Sequence, residues 1–160
     1  MKSKFPVLVL VLIIAVGTFS LSALSGTSLG LSLEEDYTNE TTYYGGYLST
    51  GGLLKVELGG LEPAGENSSK INLFSYLLGD LTLGDFGSGG SLHLYLGASP
   101  AMSLDTNGPS FSFSSSSAYG KIGLQFNLFP FSVRAQTTGQ LDFEGNLKSV
   151  LGGVGFGLTF

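Results

Sequence analysis

The chain has no cysteine, no tryptophan and one histidine among its 160 residues. Without cysteine there is no disulfide, no thiol nucleophile and no thiolate metal site, and no residue for lipid attachment near a processed N-terminus. Charge is scarce, at 12 % Asp, Glu, Lys and Arg, and leans acidic, with seven Lys and Arg against twelve Asp and Glu. Nucleic acid is therefore excluded as an expected partner. No metal-ligand spacing, phosphate-cradling loop or nucleotide fingerprint occurs, and no cofactor is expected. The Gly153-Val154-Gly155-Phe156-Gly157 run sits in a strand at the chain end with no helix after it, which is the wrong context for a phosphate loop. Helical periodicity is missing beyond residue 25: the longest helix-like stretch, Ile71 to Leu83, alternates with period two rather than 3.6.

What the chain has instead is alternation. In the last eleven residues Val154, Phe156, Leu158 and Phe160 are large and apolar, with Gly153, Gly155, Gly157 and Thr159 between them. Successive side chains on a strand point to opposite faces, so this strand has one greasy face. An exposed apolar strand is a liability in a soluble protein. In a barrel closed inside a bilayer it pairs on both sides and its apolar face meets acyl chains.

The start of the chain reads as a secretory signal. Met1-Lys2-Ser3-Lys4 is positive, Phe5 to Val16 is almost continuously Val, Leu and Ile, and small residues follow, with Ala23 and Ser25 in small-x-small spacing. The apolar core is shorter than the ~20 residues a spanning helix needs. Residues 1–25 are expected to be a signal peptide and 26–160 one domain. That domain keeps Lys55, Lys70, Lys121, Arg134 and Lys148 against twelve acids, a net charge near -7.

Alternating segments separated by turn signals predict strands at about 27–35, 43–50, 52–61, 70–84, 91–100, 110–128, 131–144 and 149–160. Leu54, Val56 and Leu58 hold one parity, as do Leu92, Leu94 and Leu96. In the fourth segment Ile71, Leu73, Leu77, Leu81 and Leu83 share a parity that Phe74, Tyr76 and Leu78 blur. In the sixth, Phe111 and Phe113 are odd whereas Ile122 to Leu128 are even, so a bulge or break is needed around Ser114–Ser117. Were that run a turn, with Gly79-Asp80 or Thr138-Gly139-Gln140 another, the count would be ten. Either even number keeps both termini on the periplasmic side.

With eight strands the turns at Ser49–Gly52, Gly84–Gly90 and Phe129–Pro130 are short and periplasmic. Those at Asp36–Thr42, Leu61–Ser69, Pro100–Pro109 and Glu144–Ser149 are more polar and face outward. Phe129, Phe131 and Phe160 then mark one rim and Tyr37, Tyr43 and Tyr44 the other, as interfaces favour rings with one wet edge. The fold expected is all-β: a closed antiparallel up-and-down transmembrane β-barrel. A soluble secreted β-sandwich, with Val154, Phe156, Leu158 and Phe160 in its core, is the alternative.

The chain resembles the small outer-membrane β-barrels of Gram-negative-type bacteria. Gly155-Phe156-Gly157-Leu158-Thr159-Phe160 is similar to the terminal signal read by their barrel-assembly machinery, with Gly155, Leu158 and Phe160 at its Gly, apolar and aromatic positions. Gly153 stands where that signal usually carries a polar residue. The pattern covers the whole mature chain, and the motif covers its last six residues. The resemblance implies an outer-membrane location, contact with membrane lipids, and assembly machinery and periplasmic chaperones as partners during biogenesis.

An eight-stranded barrel is about wide enough for its side chains to fill. The inward faces read Glu34, Lys55, Glu57, His93, Tyr95, Lys121, Gln125, Asn127, Arg134, Gln136, Asp142 and Glu144. Because charges of both signs are mixed, a lumen-filling polar network is expected, with Glu34, Lys55, Glu57, His93, Lys121, Arg134 and Asp142 as its charged members. Lys55 would reach Glu34 only across the lumen. Unpaired charges there would each cost several kcal/mol. A diffusion pore is not expected, and the role is read as structural or at the surface, in membrane integrity or adhesion, and non-enzymatic. A narrow channel is one alternative. A lipid-modifying enzyme, as some small outer-membrane barrels are, is another. It would need His93 as base for Ser91 or Ser99, oriented by Glu57 or Glu144, although His93 faces inward in this register. The acids Glu34-Glu35-Asp36 and Glu40 read either as a solvated loop or as a divalent-cation lure.

Overall fold

The computed structural model describes residues 26–65, 69–107 and 110–160. The expected signal peptide lies outside the described residues. The strands are β1 (Ser28–Asp36), β2 (Thr41–Gly51), β3 (Leu54–Pro63), β4 (Lys70–Gly87), β5 (Gly90–Asp105), β6 (Ser110–Leu128), β7 (Phe131–Asp142) and β8 (Leu147–Thr159). Each pairs antiparallel with the next, and β8 pairs with β1, so among the described residues eight strands close into one barrel. Gly79-Asp80 and Thr138–Gln140 continue their strands rather than turning, which removes the ten-strand alternative.

Closure is complete at the seam. Ser28 pairs with Thr159 and Asp36 with Leu151 along the whole of β1. Beyond the ladder, the Phe160 N–H donates to Thr27 O at 2.8 Å and the Gly26 N–H donates to Phe160 O at 3.0 Å. The strands are strongly staggered. Gly51, at the foot of β2, leads through Lys55, Leu78, Gly97, Lys121, Thr138 and Leu151 to Asp36, at the head of β1. A stagger of this kind is what closing a twisted sheet demands.

The parity switch in β6 is a bulge. Pro100 faces Ala118, but Met102 faces Phe113, so the serine run stands opposite Ala101 alone on the β5 side, while Ser117 keeps its pairing with Asp142 on β7. Pro100, which cannot donate to a ladder, sits beside this irregularity. β5 consequently runs on to Asp105, beyond the expected end at residue 100. β4 likewise absorbs Gly84 to Gly87, leaving Ser88 and Gly89 as the turn, both at positive φ (50° and 81°).

The outer wall is apolar on β1 and on β3 to β8. Leu31, Leu58, Leu77, Leu96, Ile122, Val133, Val154 and Phe156 are all exposed. The β-sandwich alternative fails here: Val154 and Phe156 are each 56 % exposed rather than in a core. Phe86, Phe129, Phe131 and Phe160 ring the end holding Gly26 and Phe160, and Tyr37 and Phe143 stand exposed at the other. Tyr43 departs from its expected rim position. It pairs with Glu34 on the inward parity and packs against the interior cluster.

The interior corrects the expectation of a mainly polar filling. Tyr47, Leu61, Phe74, Tyr76, Leu78, Tyr95 and Leu151 form one buried cluster inside the barrel. Phe74, Tyr76 and Leu78 blurred the β4 pattern because they are its inward residues: Phe74 pairs with Gly59, Tyr76 with Glu57 and Leu78 with Lys55. Large rings are accommodated by glycines on facing strands, since a narrow lumen must alternate large and small. A Cβ on Gly30 would overlap the Tyr47 ring, which is itself fully buried. Gly30→Ala should therefore cost about 1–3 kcal/mol through overpacking. Gly120→Ala, where a Cβ meets nothing within 4 Å, should change stability by less than about 0.5 kcal/mol. Urea unfolding of both variants in lipid vesicles checks the pair.

Candidate functional site: the lumenal charge network

Glu57 on β3 is the hub of the lumen. Its Oε1 accepts from Lys121 Nζ at 2.9 Å and its Oε2 accepts from Arg134 Nη1 at 2.5 Å. The side chains of Glu57, Lys121 and Arg134 are 0 %, 1 % and 2 % exposed. β3 and the β6–β7 pair approach from opposite sides, so these bonds cross the lumen. Glu34 on β1 accepts from Gln136 Nε2 at 2.5 Å, and Gln136 Oε1 accepts from Tyr95 Oη at 2.9 Å. Aromatic faces complete the setting. The Arg134 guanidinium lies 3.2 Å from the Tyr47 ring centre, and Lys121 Nζ lies 4.3 Å from the Tyr76 ring and 4.7 Å from the Phe74 ring. Desolvated cations gain most from such faces.

Two acids and two bases thus occupy the mid-lumen. The arrangement is not fully satisfied. Glu34 Oε2 and Arg134 Nε and Nη2 have no hydrogen-bond partner among the described residues. A buried ion cluster is weak evidence for stability, because desolvation offsets attraction. What it does physically is fill the mid-bore: the three charged side chains are almost wholly buried. A cavity of about 110 Å³ lies on the outer-loop side, lined by Asp36, Tyr43, Tyr76, Tyr119 and Gln140 among others.

The remaining charged residues expected in the lumen stand apart from this mid-lumen group. Lys55 does not reach Glu34; its Nζ pairs with Asp80 on the adjacent strand. His93 is beside the same carboxylate, with Nδ1 2.7 Å from Asp80 Oδ1 and Nε2 2.8 Å from Ser91 Oγ. Asn127 Nδ2 donates to Ser91 Oγ at 3.2 Å, and Gln125 Nε2 donates to Asn127 Oδ1 at 2.7 Å. This second group lies near the short-turn end of the barrel. Asp80 was missed from sequence because Gly79-Asp80 resembles a turn. The available signal was its parity, shared with Phe74, Tyr76 and Leu78.

Other candidates are apart from both groups. Ser99 Oγ accepts from Ser75 N–H at 2.8 Å and donates to Pro100 O, away from His93. Glu144 is exposed in the β7–β8 turn, at the opposite end from His93. Asp142 stands at the end of β7, where it accepts from the Asn146 N–H at 2.7 Å and pairs with Lys148 at 3.0 Å. It organises that turn and takes no part in the mid-lumen cluster. Asp36 similarly accepts from the Thr38 and Asn39 N–H groups at 2.8 and 3.2 Å. Among the described residues no three His, Cys, Asp or Glu converge. At the terminus, Gly155 lies beneath Arg134, where a Cβ would come within 2.9 Å of its side chain, while Leu158 and Phe160 face outward.

No protein-family model matches the chain, and no curated protein is detectably similar to it. Among solved structures it is similar to the N-terminal β-barrel domain of Pseudomonas aeruginosa OprF, with a TM-score of 0.57 at 17 % identity, covering 85 % of this chain and 98 % of that one. The likeness is one of fold: the chain has the eight-stranded architecture of a small bacterial outer-membrane barrel.

The network makes a sharp mutational expectation. Glu57→Gln leaves Lys121 and Arg134 without a counter-charge in a dry site and should cost about 3–5 kcal/mol. Replacing Glu57, Lys121 and Arg134 together by Met removes the ions with their partners and should recover most of that loss. Denaturant midpoints of the two variants in detergent micelles check the order.

Proposed function

We propose that the chain is a secreted precursor whose barrel resides in the bacterial outer membrane and serves a structural or surface role there, with its lumen sealed. The observation that carries the location is the apolar outer wall around a barrel with no open edge. In water such a wall is an aggregation hazard, whereas in a bilayer it is what a closed barrel needs. Membrane lipids are then its immediate partners. The aromatic residues at both ends fit interfacial girdles, and the polar turns at 37–40 and 143–146 belong to the outward surface. Residues 1–25 act as the export signal. Gly155, Leu158 and Phe160 act as the assembly signal, presented to the barrel-assembly machinery after delivery by periplasmic chaperones.

The role is integrity or surface presentation rather than transport, because the mid-lumen charges are inaccessible to solvent. Reconstituted into planar bilayers, the chain should give flat current traces. Discrete conductance steps at ordinary voltages would favour the channel reading instead. Phe160→Ala removes the terminal ring from a seam whose backbone bonds it leaves intact. It should lower the amount of barrel recovered in the outer-membrane fraction several-fold with little change in stability once folded, measured by quantitative immunoblot. Normal recovery would remove the terminus from the assembly role.

A further inference from the structure

The short-turn mouth of the barrel holds a hydrogen-bonded chain that sealing the lumen does not use. Ser91 and His93 are two apart on β5 and so share its inward face. Asp80, on neighbouring β4, pairs with Tyr95 and lies beside them. The His93 ring bridges the two, with Asp80 Oδ1 on Nδ1 at 2.7 Å and Ser91 Oγ on Nε2 at 2.8 Å. A carboxylate on Nδ1 selects the tautomer with its proton there, leaving Nε2 as a bare acceptor against the hydroxyl. Lys55 Nζ takes the other carboxylate oxygen of Asp80 and so helps orient that group.

Two further features separate this chain from a buried polar filling. Asn127 Nδ2 is 3.2 Å from Ser91 Oγ, and its own carbonyl is anchored by Gln125. One of its N–H groups is thus directed at the hydroxyl oxygen, close to where negative charge would develop on a carbonyl attacked by that oxygen. The group is also reachable. The His93 side chain is 16 % exposed, in contrast to the sealed mid-lumen ions, and Ser91 follows closely on the Ser88–Gly89 turn at the rim.

We propose that Ser91 is a nucleophile, and that this mouth is an acyl-transfer site taking short carboxylic esters from the aqueous side. Ser91 Oγ attacks the ester carbonyl carbon as its proton passes to His93 Nε2. Asn127 donates to the oxyanion. The ester C–O bond then breaks, and His93 returns the proton to the departing alcohol. Water, deprotonated by His93, attacks the acyl-serine. The C–Oγ bond breaks, the carboxylic acid leaves, and the proton returns to Ser91. One ester and one water become one acid and one alcohol. Ser91, His93 and Asn127 touch the reacting atoms; Asp80 and Lys55 are positioning residues. The activity is additional to the structural role, and the barrel can be intact whether or not it is present.

The test uses the full chain folded in outer-membrane vesicles, a fluorophosphonate probe and p-nitrophenyl butyrate. The expected result is one phosphonyl group per chain mapped to Ser91 by peptide mass spectrometry, with ester hydrolysis that disappears in Ser91→Ala. His93→Gln should slow both reactions by about 100-fold or more, the contribution of a positioned general base. Asp80→Asn should slow labelling and alter its pH profile, which a merely structural carboxylate would not do. Each variant is first checked for the heat-dependent gel shift of a folded barrel, and the wild-type labelling site is read independently of any variant. An unlabelled wild-type chain, a label at another serine, or His93→Gln labelling at the wild-type rate would each overturn the proposal.

Discussion

Closure of β8 onto β1 is the constraint from which the rest follows. Once the sheet has no edge, every strand is paired on both sides, and the only freedom left is which parity faces in. A twisted sheet of eight strands closes only with a steep stagger, and here one circuit of the wall climbs from the foot of β2 to the head of β1. The stagger decides which inward residues meet. It brings Glu57 on β3 against Lys121 on β6 and Arg134 on β7, residues far apart in the chain. It also puts Asp80 rather than Glu34 beside Lys55.

The mid-lumen charges are almost wholly buried, so packing and electrostatics are solved together. The rings of Tyr47, Phe74 and Tyr76 supply bulk and, at the same time, electron-rich faces for Arg134 and Lys121. Gly30, Gly59 and Gly157 supply the missing volume on facing strands. The price is a cluster with unpartnered buried atoms, which costs stability relative to an apolar filling of the same shape. Toward the short-turn mouth the confinement relaxes, and there the polar side chains make a hydrogen-bonded chain of a different kind, with a histidine at its centre.

Much of this was readable from alternation alone. The greasy face of β8, the inward parity of Lys121, Gln125, Arg134 and Gln136, and the need for a bulge in the serine run all come from period two. Where alternation stopped helping, the cause was physical. Phe74, Tyr76 and Leu78 are bulky aromatic or aliphatic residues, and the outward-facing leucines of their strand are apolar too, so alternation in hydropathy does not separate the two faces. Tyr43 resembles an interfacial ring but lines the bore. Asp80 follows a glycine and imitates a turn. Partner choice depends on height along the barrel as well as parity, and height is set by stagger and bulges that no local window contains. Asp142 shares the inward parity of Arg134 and Gln136, yet it is too close to its turn to reach them.

The most direct test of a lipid-embedded, sealed barrel uses the absence of cysteine, which makes any introduced cysteine a single labelling site. Nitroxide spin labels placed one at a time along β7 would be read for collision with oxygen, which partitions into lipid, and with a water-soluble nickel chelate. At Phe131, Val133 and Ala135 a closed barrel in lipid gives high oxygen and low nickel accessibility. At Ser132, Gln136 and Thr138 it gives low accessibility to both. Nickel accessibility at the odd positions, or loss of the two-residue alternation, would contradict a closed barrel in a membrane.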